Sequence, residues 1–219
     1  MKTLLLLLLL PGCSVTLSMA EIIKDSTLYK TGVQLLNSAK TETQYLETAE
    51  YFLNIARTDS TCWLPYYYAG VCFNLASGEN PNSIAKEEHI DRAEQELGKA
   101  VKLNPGETEL VILQAFVLQA RIQVNPAVRG MSYGPKAGSL LDEALKADPG
   151  NPRALMLKAY NIYYTPALLK GGPSNALPMF MDAKKMFASY VPDSEISPQW
   201  GEKETINMIN VCEKEMNLQ

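Results

Sequence analysis

The sequence predicts an all-α fold: a right-handed solenoid of helical hairpins, about four degenerate units long and closed by a C-terminal capping helix. Three observations predict it. The first is a phrase stated four times, an Ala, a large apolar residue four positions on, and a second Ala three beyond that. It reads Ala49–Leu53–Ala56, Ala93–Leu97–Ala100, Ala137–Leu141–Ala144 and Ala176–Phe180–Ala183, at intervals of 44, 44 and 39 residues. Positions i, i+4 and i+7 share one helical stripe, so each copy puts two small residues beside one knob, and a neighbouring helix can approach closely. The second observation is the punctuation. Asn104-Pro105-Gly106 and Asp148-Pro149-Gly150 follow copies two and three at the same distance, and the proline–glycine pair stops both helices in the same register. The third is Asn151-Pro152, an N-cap with proline at the first helical position, so the next helix starts at once.

Taken in order, the chain opens with Lys2 and an unbroken apolar run from Leu4 to Leu10. This is the pattern of a secretory signal peptide over residues 1–20, too short to span a bilayer. Ser18-Met19-Ala20 fits ordinary cleavage. Leu10-Pro11-Gly12-Cys13 resembles a lipobox instead, which would leave a lipid anchor on Cys13. Either route exports the protein, to the periplasm or envelope of a bacterium. A first unit over about 25–61 carries a helix from Asp25 to Ala39 and a second from Thr43 to Arg57. The second unit, 62–105, opens at Trp63 and has a loop at 76–81, after which Ser83 is placed to cap a long helix from Ile84 to Lys102. The third, 106–149, contains a predicted loop through Asn125-Pro126 and Arg129 to Pro135. The fourth, 150–190, contains another from Tyr164 to Pro173, and Pro178 falls in the first turn of its helix if Ser174 is the cap. An irregular stretch, 191–198, leads to the capping helix (cap 198–216), with Ile206, Ile209 and Val211 on its apolar side.

Tyr66, Ala69-Gly70 and Phe73, followed by Ala93, Leu97, Ala100 and Pro105, resemble the tetratricopeptide repeat. Met156, Leu157 and Tyr160 with Ala176, Phe180 and Ala183 repeat the pattern. The departure is the period, since a standard unit has about 34 residues. The closing turns keep their register, so the excess belongs between the two helices of a unit, in loops gathered on one rim. Tyr163-Tyr164-Thr165-Pro166 with Gly171-Gly172 resembles exported bacterial repeat proteins. Some of these are similar to the tetratricopeptide component of periplasmic solute transporters.

Composition narrows the function. Hydrophobic residues make up 47% and charged residues 20%, which is globular, and the formal charge is −4, or −5 without Lys2. With no basic cluster there is no footprint for nucleic acid. His89 is the sole histidine and reads as a solvated helix residue; no G-x-S-x-G turn, convergent carboxylate pair or phosphate cradle accompanies it. The reading is therefore of a non-enzymatic protein without a cofactor or a metal. Cys62, Cys72 and Cys212 are odd in number, and Cys62 and Cys72 lie too far apart on one helix to bridge. They read as small buried hydrophobes.

The resemblance implies that first helices line a concave groove. Its groove-facing places match Tyr29, Tyr67, Asn74, Gln114, Lys158 and Asn161, and Tyr164 stands on the loop rim. Tyrosine, amides and a lysine suit a polar or peptidic ligand. The expected function is binding of a protein or peptide partner in the envelope, with a small-solute-binding component of a transporter as the alternative.

Overall fold

The computed structural model describes residues 19–217, and those residues form nine α-helices and one short 3₁₀ turn. The leader and Cys13 lie outside them. Helix α1 spans Met19–Ser38 and α2 Glu42–Thr58; α3 spans Leu64–Glu79 and α4 Ser83–Leu103. Helix α5 spans Thr108–Val124 and α6 Pro126–Ala147; α7 spans Pro152–Tyr164, α8 Pro173–Ser189 and α9 Glu202–Met216. Helices α3/α4, α5/α6 and α7/α8 pair as hairpins, α3 stacks on α5 and α5 on α7, and α9 closes on α8. Among the described residues none of the helices is long and apolar enough to cross a membrane.

The repeated phrase sets the core. All eight of its alanines are at most 3% exposed, and Leu141 and Phe180 are fully buried. In the first copy the deep knob is Phe52 rather than Leu53, which is half-buried. The shared turn is as expected. Asn104 N–H donates to the Ala100 carbonyl and Glu107 N–H to Asn104, while Asp148 donates to Ala144 and Asn151 to Asp148. Asn151 caps α7 by accepting from the Arg153 and Ala154 amides, with Pro152 at the first helical position.

The extra length is not where the sequence suggested. Residues 126–135 are helix, not loop, and extend α6 to 22 residues; α4 has 21, against 17 for α2 and for α8. The physical reason is that Asn125 caps and Pro126 starts the helix, so a pair read as a loop marker is an N-terminus. Pro135 then sits inside α6, where it removes one bond of the ladder without ending the helix. Asn82, not Ser83, caps α4, accepting from Ile84 and Ala85. Pro178 lies inside α8, beyond its first turn, because the helix already begins at Pro173. Only the third expected loop survives, residues 165–172, and it folds around the turn Ala167–Leu169. Gly171 closes that loop: a Cβ there would lie 1.8 Å from the Thr165 carbonyl oxygen.

Successive first helices are joined by side chains 42 residues apart. Tyr67 bonds Glu109, Glu109 bonds Asn151, Asn74 reaches the Phe116 carbonyl and Gln119 bonds Asn161, each across that interval. In α9, Thr205, Met208, Ile209 and Cys212 face inward, whereas Ile206 and Val211 are each 37% exposed, which corrects their expected place on its apolar side. All three described cysteines are free, and burial pushes the Cys72 thiol well up.

Candidate functional site

The face lined by α3, α5 and α7 holds a buried polar cluster. Arg153, 0% exposed, donates from Nε and Nη2 to Glu109 Oε1 at 2.9 and 2.6 Å, and from Nη2 to the Tyr190 hydroxyl at 2.9 Å. Tyr67 donates to Glu109 Oε2 at 2.9 Å and accepts from Trp200 Nε1 at 2.8 Å, and Asn151 Nδ2 reaches Glu109 Oε1 at 2.8 Å. Burial and the Glu109 carboxylate both push the Tyr67 phenol well above its ordinary range. Burial opposes the charge on Arg153, but the adjacent carboxylate outweighs it and the guanidinium stays protonated. A paired, hydrogen-bonded charge of this kind is costly to break, because losing either partner leaves the other buried and uncompensated.

Residues 190–201 lie across this face as an irregular segment. Tyr190 stacks over the Arg153 guanidinium at 4.7 Å, Glu195 pairs with Lys30 of α1, and the Ile196 carbonyl accepts from Tyr68 at 2.9 Å. The Trp200 ring stacks on Phe116 at 5.3 Å and is 6% exposed. A cleft of about 570 Å³ opens between α1 and this segment, lined by Lys30, Val33, Gln34, Val191, Pro192 and Glu195 among others.

The second feature is a rim, formed by the first half of α6 and the connection from α7 to α8. Asn161 Nδ2 lies 3.5 Å from the Gly134 carbonyl, which holds the two together. Val128, Met131, Tyr164, Leu168 and Leu169 are 72%, 89%, 57%, 94% and 66% exposed. Tyr164 stacks on Tyr160 at 6.2 Å and meets Tyr163 edge-on at 4.9 Å. Burial and then Glu215 raise its phenol above the ordinary value. Lys136 sits beside the Tyr133 ring at 5.7 Å, and the backbone of Lys170 is left-handed at φ 61°.

The residues singled out from the sequence divide between these places. Tyr67 is buried beneath the segment at 0% exposure, Asn74 is 3% exposed with its amide on the Phe116 carbonyl, and Tyr29 is buried with its hydroxyl donating to Cys62 Sγ at 3.3 Å. Gln114 is exposed on α5, and Lys158 pairs with Asp142. Asn161 and Tyr164 come together at the rim. His89 is not solvated: its side chain is 12% exposed, with Nε2 2.7 Å from Glu42 Oε1, because the added turns of α4 reach the start of α2. Its Nε2 is therefore engaged by a carboxylate. Among the described residues no group of three or more His, Cys, Asp or Glu converges.

Sequence reasoning missed Glu109 and Arg153, whose signal was the 42–44-residue offset between polar positions on first helices, and the anchoring role of Trp200, which no such offset marks. It also missed Val128 and Met131, which read as loop.

No family model and no curated protein matches the chain. Among solved structures, the HusA haemophore from Porphyromonas gingivalis is similar over 87% of this chain and 93% of its own, at 30% identity and a TM-score of 0.75. The MamA RS-1 ArsTM double mutant aligns over 89% of this chain and 98% of its own, at 16% identity and a TM-score of 0.44. The identity to the haemophore, sustained over nearly the whole length of both proteins, places this helical array: the chain belongs to the family of the HusA haemophore.

Proposed function

We propose that this chain is an exported, non-enzymatic carrier that binds haem, or a porphyrin like it, without covalent chemistry. The observation that carries the reading is the rim, five large apolar residues exposed on one edge of a protein in a haemophore family. A porphyrin is a flat apolar ring with two carboxylates at one side, so it needs a contiguous apolar surface with cations at the margin. Burying about 300 Å² of it on Met131, Tyr164, Leu168 and Leu169 would contribute about 7–8 kcal/mol gross. Association costs of about 4 kcal/mol or more reduce that. Lys136 and Lys170 are both exposed and supply the marginal charge, each adding up to about 1 kcal/mol. The hydroxyls of Tyr133 and Tyr164 are the rim's oxygen donors toward iron.

This reading follows the small-solute branch of the sequence expectation. The peptide branch allows the concave groove or the loop rim, and in the groove residues 190–201 already cover Tyr67. The test is a titration of the purified chain with haem, followed by Soret absorbance. The expected result is saturable binding that falls at least tenfold in Leu168→Asp/Leu169→Asp with the melting temperature unchanged. Undiminished binding in that variant, or no binding in the parent, overturns the proposal.

A further inference from the structure

The segment 190–201 behaves as a ligand of its own protein. It has no regular structure, it is held by side chains of α1, α3, α5 and α7, and only Pro198, Trp200 and Gly201 are buried in it. Each anchor is one an extended peptide would use: an acidic residue on Lys30, a backbone carbonyl on the Tyr68 hydroxyl, an indole stacked on Phe116 with its N–H on Tyr67. Val191 is 83% exposed and the cleft separates Val191, Pro192 and Ser194 from α1, so the stretch between the anchors at Tyr190 and Glu195 lies open. Asn74 Oδ1 on α3 and Arg153 Nη1 on α7 are buried without a partner.

We propose that the face of α1, α3 and α5 is a second binding site, for an extended peptide carrying an acidic residue followed by a tryptophan, now occupied in cis by residues 193–201. Tethering gives the segment an effective concentration of about 1 mM, so a peptide in trans competes only when the tethered copy is weakened. This site is separate from the rim, and it stands or falls independently of haem binding.

The test uses a labelled peptide of residues 193–201 and the full chain. Trp200→Ala empties the indole pocket, and this variant should bind the peptide at least tenfold more tightly than the parent, with its melting temperature rising on saturation. A peptide with alanine in place of the tryptophan should bind neither. A folded Trp200→Ala protein that ignores the peptide at millimolar concentration overturns the proposal. If the variant does not fold, hydrogen exchange of the parent decides. Amides of 194–199 exchanging at least 100-fold faster than those of α3 and α5 support a replaceable segment. Exchange of the segment only with global unfolding refutes it.

Discussion

Replacing Glu109 by glutamine should be among the most damaging conservative changes available in this protein. The carboxylate is 6% exposed and receives Arg153, Tyr67 and Asn151 together. Glutamine keeps the shape but removes the charge and turns one acceptor into a donor aimed at other donors. Arg153, 0% exposed, is then a buried cation with no counter-charge, since its remaining side-chain partner is the neutral Tyr190 hydroxyl. Breaking a buried pair in this way costs about 3–5 kcal/mol. At about 2–4 °C per kcal/mol for a chain of this size, the melting temperature should fall by about 6–20 °C. Thermal and urea denaturation at neutral pH, followed by circular dichroism, measure it. The double variant Glu109→Leu/Arg153→Met should recover at least half of the loss, because it removes both charges. A Glu109→Gln protein melting within 2 °C of the parent would refute the view that this pair organises the first-helix face.

Tyr67→Phe leaves the Trp200 N–H buried without an acceptor and takes one donor from Glu109, so it should cost about 2–3 kcal/mol in urea denaturation. Glu42 is held below its ordinary pKa of 4.5 by hydrogen bonds from His89 and then Asn80. A depressed carboxyl stabilises above its unfolded pKa. The parent should therefore be more stable than Glu42→Gln above about pH 4.5, and the gap should close as pH falls through the lower folded value, as melting at several pH values would read. Gly171→Ala drives a Cβ into the Thr165 carbonyl, and should destabilise by about 1–3 kcal/mol with faster hydrogen exchange confined to 165–173.

The fold was legible because its signals are local and repeated. Small alanines either side of a knob, and a proline–glycine turn at a fixed distance, need no tertiary information to read. The length of α6 was not legible, because Asn125-Pro126 serves equally as a helix start and a loop, and Pro135 and three glycines in 126–138 argue against helix. Packing against α5 overrides that propensity. The candidate sites were half legible. Asn161 and Tyr164 reach the rim, but Tyr67 is covered by a segment more than 120 residues away in sequence, and no pattern around α3 announces it. His89 shows the same limit, since its partner Glu42 lies 47 residues off.

The constant offset between bonded side chains makes this chain divisible only at fixed lengths. Excising one whole period of 42 residues would slide Asn151 into the place of Glu109 and Phe116 into that of Asn74, so each helix would still find a neighbour of the right shape, though of different chemistry. Removing a different number from within α3 to α7 would break these rungs, since each joins positions 42 apart. Length variation among relatives should therefore concentrate in 165–172 and in 190–200, the two stretches that no such rung crosses.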